Sequence, residues 1–434
     1  MVDKPKKTTE TDLDAARAAA GTKKPKAAPI SLPKGAVPIK RPIAPGNVAA
    51  GLAPANRKSV PPARKISDDF EYDVALRLGF LGTGQGGGKI AASFYNQGYR
   101  RVAVFNTTSM DFDGIPDEVE KLSLDVGGAA KDTAQAASAL KGREEEVRDM
   151  LTNAWGSDID YGMITVGLGG GTGGGTAASM VQTARTYLQD TCGHSRVGAI
   201  VSLPPVAEGF QVARNAIQCF YELTQLEVSP LIIIDNARIQ TLYNPSISQL
   251  HATANDTVSS LLHLFNQLAA YKSNLMTFDQ AELRQLFDSG LVVMGAADIA
   301  SSAAEISSPT QISSEIRDKL SNSVLAEVDL GTGLKGACLF VGDQDVMDTL
   351  SMEYFDAGFT QLDRLLGSDD QQGEEQTVLH RGVYVGSTEG LQVYTMIGDL
   401  GLPHKRLQEL ADKGGLTRDK SKASPLADWL GVSG

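Results

Sequence analysis

The sequence predicts an α/β protein with a doubly wound parallel sheet, a long central helix and a smaller α+β C-terminal domain. Three observations support this prediction. Short apolar runs alternate with helical segments after residue 70, two of those runs end in glycine-rich loops, and a different pattern begins in the last third of the chain. Alternating strands and helices are typical of parallel sheets covered by helices on both faces.

The first domain is predicted from strands that alternate with helices. Val74–Leu81 predicts a buried strand, Gly82–Gly88 a glycine-rich turn, and Lys89–Asn96 the opening of a helix. With the strand Arg101–Phe105, these segments form a β-turn-α-β unit, as in parallel sheets. The pattern continues with strands Tyr161–Leu168, Val197–Leu203 and Leu231–Asp235 and with helices Ala134–Trp155, Thr172–Gln189 and Gln211–Leu226.

The later segments predict a connecting helix and a second, smaller sheet. Ser246–Ala270 has helical periodicity and is long enough to join two domains. After it the sequence predicts one helix, Met347–Leu366, among the strands Leu291–Ala296, Lys335–Val341, Gly382–Val385 and Gln392–Ile397. The predicted divisions are an arm 1–68, a first domain 69–245, a central helix 246–272, a second domain 273–402 and a tail 403–434.

The composition is that of a soluble globular chain, with 42% apolar and 21% charged residues among 434. No stretch approaches the roughly 18 apolar residues of a membrane helix, and the first residues do not resemble a signal peptide. Three scattered cysteines are typical of reduced thiols, so we expect a cytoplasmic protein. Five histidines in no cluster do not predict a zinc site.

Residues 1–66 form a basic, proline-rich segment with 14 Lys and Arg against 4 Asp and Glu. Its net charge of +10 leaves −22 on the rest of a chain whose total is −12. Such a segment buries too little apolar surface to offset its ordering entropy, which predicts disorder. Two interpretations stay open: a solvated linker, or an electrostatic arm for DNA, an anionic membrane, an adaptor or the protein's own acidic body.

The glycine-rich loop after the first strand, Gly82-Thr-Gly-Gln-Gly-Gly-Gly-Lys89, predicts an anion site. Without Cβ atoms the backbone N–H groups can close on a phosphate, and the following helix N-terminus favours negative charge. The spacing also satisfies Gly-x-Gly-x-x-Gly, which alone is a weak sign of a dinucleotide site. A Walker loop is excluded, because Thr83 and Ile90 stand where it needs glycine and Ser or Thr.

Residues Gly169–Thr176 form a second glycine loop between a strand and a helix. A tight strand-to-helix connection needs one or two glycines, whereas six of the seven residues 169–175 are glycine. A dinucleotide enzyme has no use for a second such loop, while a nucleoside triphosphate has more oxygens that need donors. The two loops together favour a triphosphate over NAD.

Gly169–Gly175 matches the Gly-Gly-Gly-Thr-Gly-x-Gly signature of tubulins and FtsZ, and the chain resembles that superfamily over about residues 72–400. Five further segments of the chain resemble family segments that occur in the same order: Phe105–Thr108, Asp125–Ala130, Leu203–Gly209, Ile234–Asn236 and Ala254–Val258. The resemblance implies a doubly wound GTPase domain that binds GTP or GDP together with Mg²⁺. The nucleotide-binding residues that it implies are Gly84, Gln85, Gly86, Gly87, Gly88, Lys89, Asn106, Thr107, Gly127, Gly128, Ala129, Gly169, Gly170, Gly171, Thr172, Gly173, Gly174, Glu208, Arg214, Asn236, Asn255 and Asp256. It further implies that Asn236 and Asp256 distinguish guanine from adenine.

Several positions depart from the family pattern. Gln85 and Lys89 differ in the first loop, and Thr108 stands where the family has the Asp of I-N-T-D. The family's Arg four residues after the Glu of P-F-x-x-E-G is Val212 here, and Arg214 is the candidate that replaces it.

Asp279 and Glu282 follow the predicted central helix and lie three residues apart, so they share one face at a helix start. The helix dipole favours carboxylates there, so capping alone would explain them. The segment resembles the family's N-V-D-F-A-D-V, which implies that these acids act on the nucleotide of the next subunit in a head-to-tail polymer. Phosphoryl transfer needs an oriented water, and a carboxylate within hydrogen-bond reach can orient it.

The resemblance implies a GTPase that assembles with itself into cytoskeletal filaments, because a head-to-tail contact that does not close makes an open polymer. Two alternatives stay open: a Rossmann oxidoreductase that uses the first loop, and a scaffold that keeps the fold without hydrolysis. The role stays open among cell division, plasmid or phage DNA positioning and cell shape. In the short apolar segment Ser424–Leu430, Trp429 either enters a partner's groove or packs on its own domain.

Overall fold

The structure, a computed structural model, describes residues 74–243, 247–321, 325–368, 376–386, 390–416 and Trp429. The basic segment 1–66 and the hypotheses about its partners therefore lie outside the described residues, as does most of the tail after residue 416. None of the described helices is both long enough and apolar enough to cross a membrane.

The described elements alternate through the first domain and then change pattern. The strands are β1 (Leu78–Thr83), β2 (Val102–Asn106), β3 (Glu120–Ser123), β4 (Tyr161–Gly167), β5 (Val197–Leu203), β6 (Leu231–Asp235), β7 (Val293–Ala300), β8 (Lys335–Gly342), β9 (Val378–Val385) and β10 (Leu391–Gly398). The helices are α1 (Gly84–Asn96), α2 (Thr133–Leu140), α3 (Glu144–Trp155), α4 (Gly171–Cys192), α5 (Phe210–Gln225), α6 (Asn236–Tyr243), α7 (Ile247–Leu268), α8 (Gln280–Phe287), α9 (Pro309–Ser321), α10 (Gln344–Thr349), α11 (Met352–Asp363) and α12 (His404–Lys413).

The first sheet has six parallel strands in the order β3-β2-β1-β4-β5-β6. The strand β1 pairs with β2 on one side and with β4 on the other. Successive strands therefore extend first to one side of β1 and then to the other, which confirms the doubly wound fold. In such sheets, ligands bind beyond the carboxyl ends of the strands at this switch point.

The strands of this sheet are apolar along most of their length because helices cover both faces. Every residue of β1, β2 and β6 is buried. Phe80 of β1 stacks on Phe94 of α1 with ring centroids 4.0 Å apart. Trp155 of α3 packs against the same strand, and its Nε1 donates to the Phe80 carbonyl at 3.2 Å. These contacts fix β1, and with it the start of α1, which follows directly.

The central helix α7 is tied to the start of β1. Its Asn266 side chain accepts from Leu76 N at 2.7 Å and donates to Leu76 O at 2.8 Å. The second sheet has the order β7-β10-β8-β9, antiparallel except between β8 and β9. This arrangement confirms the predicted smaller α+β domain.

The structure corrects several predicted elements. The glycine run 82–88 is not a turn, since α1 begins at Gly84 and includes the rest of the run. The helix predicted over 134–155 is two helices, α2 and α3, between which Gly142 has a φ of +81°. Residues 347–366 are likewise divided between α10 and α11. Neither break contains proline, which is a stronger sign of a helix break than a single glycine. The sequence pattern therefore does not reveal the two breaks.

Trp429 lies on its own domain. Its ring centroid is 5.9 Å from that of Phe220 and 5.5 Å from that of Tyr221, both on α5. Of the two interpretations of the tail, the structure favours packing on the protein's own domain.

Candidate functional site

A cavity of about 500 Å³ lies at the carboxyl ends of β1, β4 and β5. Among its lining residues are twelve that the sequence predicts for a nucleotide site: Gly84, Gln85, Gly86, Gly128, Ala129, Gly169, Gly170, Gly171, Thr172, Gly173, Glu208 and Asn236. Both glycine loops and the segment 128–131 thus meet at the switch point of the sheet, where a doubly wound fold places its ligand.

Two helices begin at this cavity, α1 at Gly84 and α4 at Gly171. Neither has a side-chain hydrogen bond at its N-cap or an acidic residue in its first turn. The first backbone N–H groups of both helices are therefore left for a ligand. A helix N-terminus favours an anion through these groups and through its dipole. Two such ends at one cavity suit a ligand with several phosphate groups.

Glycine is required where the loops approach each other. Gly84 has a φ of +70°, and a Cβ there would lie 2.9 Å from the Gly173 nitrogen of the second loop. A Cβ on Gly171 would lie 2.9 Å from both Ala129 Cβ and Lys131 N. Real Cβ atoms essentially never come within 3.0 Å of such atoms, so side chains here would push the segments apart.

A hydrogen-bond network beside the cavity holds the second loop. The Thr172 hydroxyl lies 2.7 Å from the Thr107 hydroxyl and donates to Asn106 Oδ1 at 3.1 Å. Asn106 Nδ2 donates in turn to Asp111 Oδ2 at 2.9 Å. Asn106 and Thr107 are buried and do not line the cavity, so they position the loop. Thr108 and Asp111 do line it, although the sequence prediction assigns neither to the site.

Three residues predicted for the first loop do not line the cavity. A Cβ on Gly87 would overlap Thr165 O, so Gly87 lets α1 lie directly on β4. Gly88 is buried and Lys89 is exposed, both within α1. Only the first turn of a helix has unpaired N–H groups, which is why the later part of the run does not reach the ligand site.

The lining of the cavity also includes Asn236, Glu208 and His251. Asn236 is the first residue of α6 and directly follows β6. The pKa of His251 lies below its ordinary value because desolvation disfavours the charged form, although Glu208 acts in the opposite direction. These three side chains add polar groups to the cavity.

The structure does not bring Arg214 to the cavity. On α5 it is Val212 that lines the cavity, whereas Arg214 is exposed and its backbone lies against Gly414. Residues two apart differ by about 200° around a helix, so both cannot face one site. The other predicted residues that do not line the cavity are Gly127, Gly174, Asn255 and Asp256.

Lys131 and His251 line the cavity although neither is among the predicted residues. Lys131 directly follows the segment 125–130 that resembles a family loop, so its position was a usable signal. His251 lies on α7 one turn before Asn255, and no motif marks it.

The acids Asp279 and Glu282 lie at the start of α8. Asp279 Oδ1 accepts from Ala281 N at 2.8 Å and from Glu282 N at 3.0 Å, and Glu282 Oε2 accepts from Asp279 N at 2.9 Å. This arrangement is a capping box. It holds Glu282 beside Asp279, which is exposed.

Helix α8 lies at the amino ends of the strands, away from the cavity. Gln280 Nε2 donates to Ala75 O, just before β1, at 2.6 Å. Arg284 pairs with Asp160, just before β4, at 3.3 Å. The strand β4 has 7 residues, which corresponds to about 20 Å at the rise of an extended strand. The acids are therefore separated from the cavity of their own chain by the length of the sheet.

The chain is similar to several known proteins. Residues 77–244 match the GTPase domain of the Tubulin/FtsZ family. The chain is 26% identical over 286 residues to the tubulin-like protein TubZ of Bacillus cereus, which covers 60% of this chain and 64% of the relative. It is 26% identical over 220 residues to the cell division protein FtsZ 1 of Pyrococcus woesei, which covers 50% of this chain and 54% of the relative.

Among solved structures, GDP-form protofilaments of TubZ from Bacillus thuringiensis serovar israelensis share the fold. The TM-score is 0.66 at 19% identity, over 80% of this chain and 93% of the other. Against its curated relatives, the chain spans less than two thirds of their length.

The parallel sheet, the two glycine loops and the two uncapped helix ends define an α/β protein built to hold phosphate groups. The matches above support a tubulin/FtsZ superfamily protein.

Proposed function

We propose that this chain binds GTP and hydrolyses it within filaments of its own copies stacked head to tail. The observation that supports this most is the separation of two half sites. The cavity lies at the carboxyl ends of the strands, and Asp279 and Glu282 lie at their amino ends. Stacking brings the acids of one copy to the cavity of the next, and a contact that does not close repeats into an open polymer.

The phosphate groups of the nucleotide are assigned to the backbone N–H groups at the starts of α1 and α4. Mg²⁺ usually takes one or two protein carboxylates and completes its shell with phosphate oxygens and water. Asp111 and Thr108 fit that pattern, because they bring a carboxylate and a hydroxyl to the same cavity. The described residues contain no group of three or more His, Cys, Asp and Glu that could hold a metal alone, which suits an ion that arrives with the nucleotide. The ion would neutralise charge on the phosphate oxygens.

Guanine recognition is assigned to Asn236 because it lines the cavity and directly follows the edge strand β6, whereas the glycine loops follow β1 and β4. A site built to hydrogen-bond a ligand discriminates strongly against an analogue that leaves its polar groups unpaired. Displacement of a fluorescent GDP analogue should therefore require far less GTP than ATP. Equal competition by ATP, or NAD retained through purification, would favour the dinucleotide alternative.

Catalysis between subunits is tested by phosphate release per subunit, measured across a range of protein concentrations, with sedimentation as the measure of assembly. We expect release per subunit to rise steeply at the assembly threshold, because each cavity needs a neighbour's acids. Release per subunit that stays constant through the threshold would contradict the proposal. Assembly without any release would support the scaffold alternative.

Glu282→Ala should still bind GTP and assemble, but release phosphate about a hundredfold more slowly, a usual effect of losing a general acid-base group. Asp279→Ala should behave similarly. The matched control is Gln285→Ala, an exposed residue of the same helix, which should leave turnover unchanged.

For the biological role, the relatives suggest two candidates, plasmid segregation and cell division. One TubZ structure is described as a plasmid segregation protein, and FtsZ 1 as a cell division protein. In either task we expect residues 1–66 to be dispensable for assembly and to determine what the filament contacts. If the arm binds DNA or an anionic membrane, its affinity should fall steeply with salt. If it binds the acidic bodies of neighbouring filaments, its removal should abolish bundling while single filaments persist. Loss of GTP-dependent sedimentation after their removal would show instead that they form part of the polymer contact.

A further inference from the structure

The strand β9 runs beside the segment 273–282, which ends in the two acids. Met276 pairs with Val383 in an isolated antiparallel bridge, and Val383 N donates to Met276 O at 2.9 Å. The Ser273 hydroxyl donates to the Val383 carbonyl. Backbone pairing thus fixes the start of this segment on the second domain.

Tyr384 and Gly382 of β9 fix the backbone immediately before the acids. The Tyr384 hydroxyl accepts from Phe278 N at 2.9 Å and donates to Phe278 O at 3.0 Å. Gly382 leaves room for Phe278, since a Cβ on Gly382 would lie 3.2 Å from Phe278 Cβ. Both polar groups of the main chain next to Asp279 are therefore occupied by one side chain of β9.

His380 stands on the same face of β9, because alternate residues of a strand point the same way. Its Nδ1 lies 3.1 Å from Glu282 Oε1, while Glu282 Oε2 accepts from Asp279 N. The His380 side chain is 8% exposed and that of Glu282 is 30% exposed. The carboxylate is thus held at one side by a buried imidazole and reaches solvent at the other.

The surroundings of His380 indicate which nitrogen carries the proton. Its Nε2 is buried and has no hydrogen-bond partner among the described residues. A neutral imidazole protonated on Nδ1 suits this position, because it donates to the carboxylate and leaves no buried N–H without an acceptor. The ring of Phe278, with its centroid 6.3 Å from that of His380, adds an apolar wall.

We propose that His380 is a positioning residue for GTP hydrolysis: its Nδ1–H holds the Glu282 carboxylate in the orientation that meets the nucleotide of the next subunit. The inference rests on the function proposed above. A glutamate side chain has many rotamers, and one hydrogen bond to each oxygen selects among them. The remaining lone pairs of the carboxylate stay available for the attacking water. His380 therefore acts through Glu282 and does not itself contact the nucleotide.

His380→Leu and His380→Asn form a matched pair for the test. Asn carries an N–H donor at the position of Nδ1, whereas Leu fills the space without a donor. For assembled protein at saturating GTP, we expect His380→Leu to lower kcat for phosphate release about tenfold, as loss of a hydrogen bond to a charged group does. GDP affinity and the assembly threshold should stay within about twofold of wild type, because the lost contact is not a binding contact. His380→Asn should recover most of kcat.

The double variant His380→Leu/Glu282→Ala separates positioning from a general structural role. If His380 acts through Glu282, the double variant releases phosphate at the rate of Glu282→Ala alone. If His380→Leu does not assemble, His380→Gln replaces it in the test. The donor of Gln is displaced by one bond, so His380→Gln should release phosphate more slowly than His380→Asn.

Three results would overturn the proposal: an unchanged kcat in His380→Leu, equal losses in the Leu and Asn variants, or a further fall in the double variant. Each of these results leaves the proposed function intact, provided that Glu282→Ala releases phosphate slowly. Full turnover by Glu282→Ala would instead contradict the proposed function, and this proposal with it.

Discussion

At the carboxyl ends of the first sheet the cavity is lined largely by glycine-rich main chain, whereas at the amino ends side-chain pairs add to the main-chain hydrogen bonds that hold the acids. Glycine loops and two helix N-termini make up the first region. In the second, Glu282 is held by His380, and Arg284 of the same helix is held by Asp160. The two regions stand at opposite ends of the same strands, so in the proposed stack each would face a different neighbour.

The difference teaches what each region tolerates. Where main-chain segments lie this close together, there is no room for an added methyl group. Adding one should therefore disrupt the cavity, even though no functional atom is removed. A site made of paired side chains keeps its shape after small changes but loses stability or rate when one partner is deleted. Substitutions at the two ends should therefore differ in what they change: ligand affinity at the cavity, and stability or turnover at the acids.

The largest expected effect is that of Gly171→Ala on nucleotide affinity. The new Cβ would lie 2.9 Å from atoms of Ala129 and Lys131, so the second loop and the segment 129–131 must separate. We expect GDP affinity to fall about a hundredfold, or about 2.7 kcal/mol, measured by titration of a fluorescent GDP analogue. Gly88→Ala is the control, because its Cβ would meet Ile115 no closer than 3.7 Å. Equal affinity of both variants would show that the cavity tolerates side chains.

The second prediction concerns Asp160 at the opposite end. Its carboxylate accepts from Arg77 N at 2.9 Å and from Arg77 Nε at 3.0 Å, and pairs with Arg284 of α8. Asp160→Ala should lower the free energy of unfolding by about 2 kcal/mol, because the nearly buried Arg77 loses one charged partner and keeps only the exposed Asp158. Asp190→Ala, which removes an exposed pair with Arg148 at 3.0 Å, should cost less than about 1 kcal/mol. Urea unfolding of both variants would decide, and equal losses would contradict the prediction.

The same carboxylate predicts a dependence on pH. Burial by itself raises the pKa of Asp160, but the hydrogen bonds and charge of Arg77, with Arg284 adding to them, outweigh burial and keep that pKa below its ordinary value. Such a group stabilises the fold above its unfolded pKa of about 3.9, and this contribution is lost as pH falls through the folded pKa. The difference in unfolding free energy between wild type and Asp160→Asn should therefore be constant near neutral pH and shrink below about pH 4. A difference that grows on acidification would contradict this sign.

The same contrast explains how much of the molecule the sequence predicts. The cavity is recognisable because its glycines are contiguous in two loops, each after an apolar strand. Motif spacing alone does not predict which residue of α5 faces the cavity, because the helix places Val212 there instead of Arg214. The contact between His380 and Glu282 joins residues 98 apart and depends on β9 lying beside the acid segment, so no local pattern contains it. The break at Gly142 is missed for a different reason, because a single glycine is a weak signal.

The smallest expected effect belongs to Trp429, which lies at neither half site. Its ring packs on Phe220 and Tyr221 of α5, and aromatic pairs of this kind contribute about 1 kcal/mol beyond the area they bury. Trp429→Ala should lower the free energy of unfolding by about that amount and leave GDP affinity unchanged. Met352→Ala, which shortens an apolar side chain that is 47% exposed, should change it by less than about 0.5 kcal/mol.

Fluorescence checks whether Trp429 is docked before any partner is added. The chain has 2 Trp, and Trp155 is 1% exposed, so the difference between the wild-type and Trp429→Ala spectra reports Trp429 alone. A ring held against two aromatic side chains is partly shielded, so acrylamide should quench this difference signal less than it quenches free tryptophan. Quenching equal to that of free tryptophan, together with unchanged stability of the variant, would mean that the tail is undocked. The alternative, in which Trp429 enters a groove of a partner, would then be the better explanation of this apolar segment.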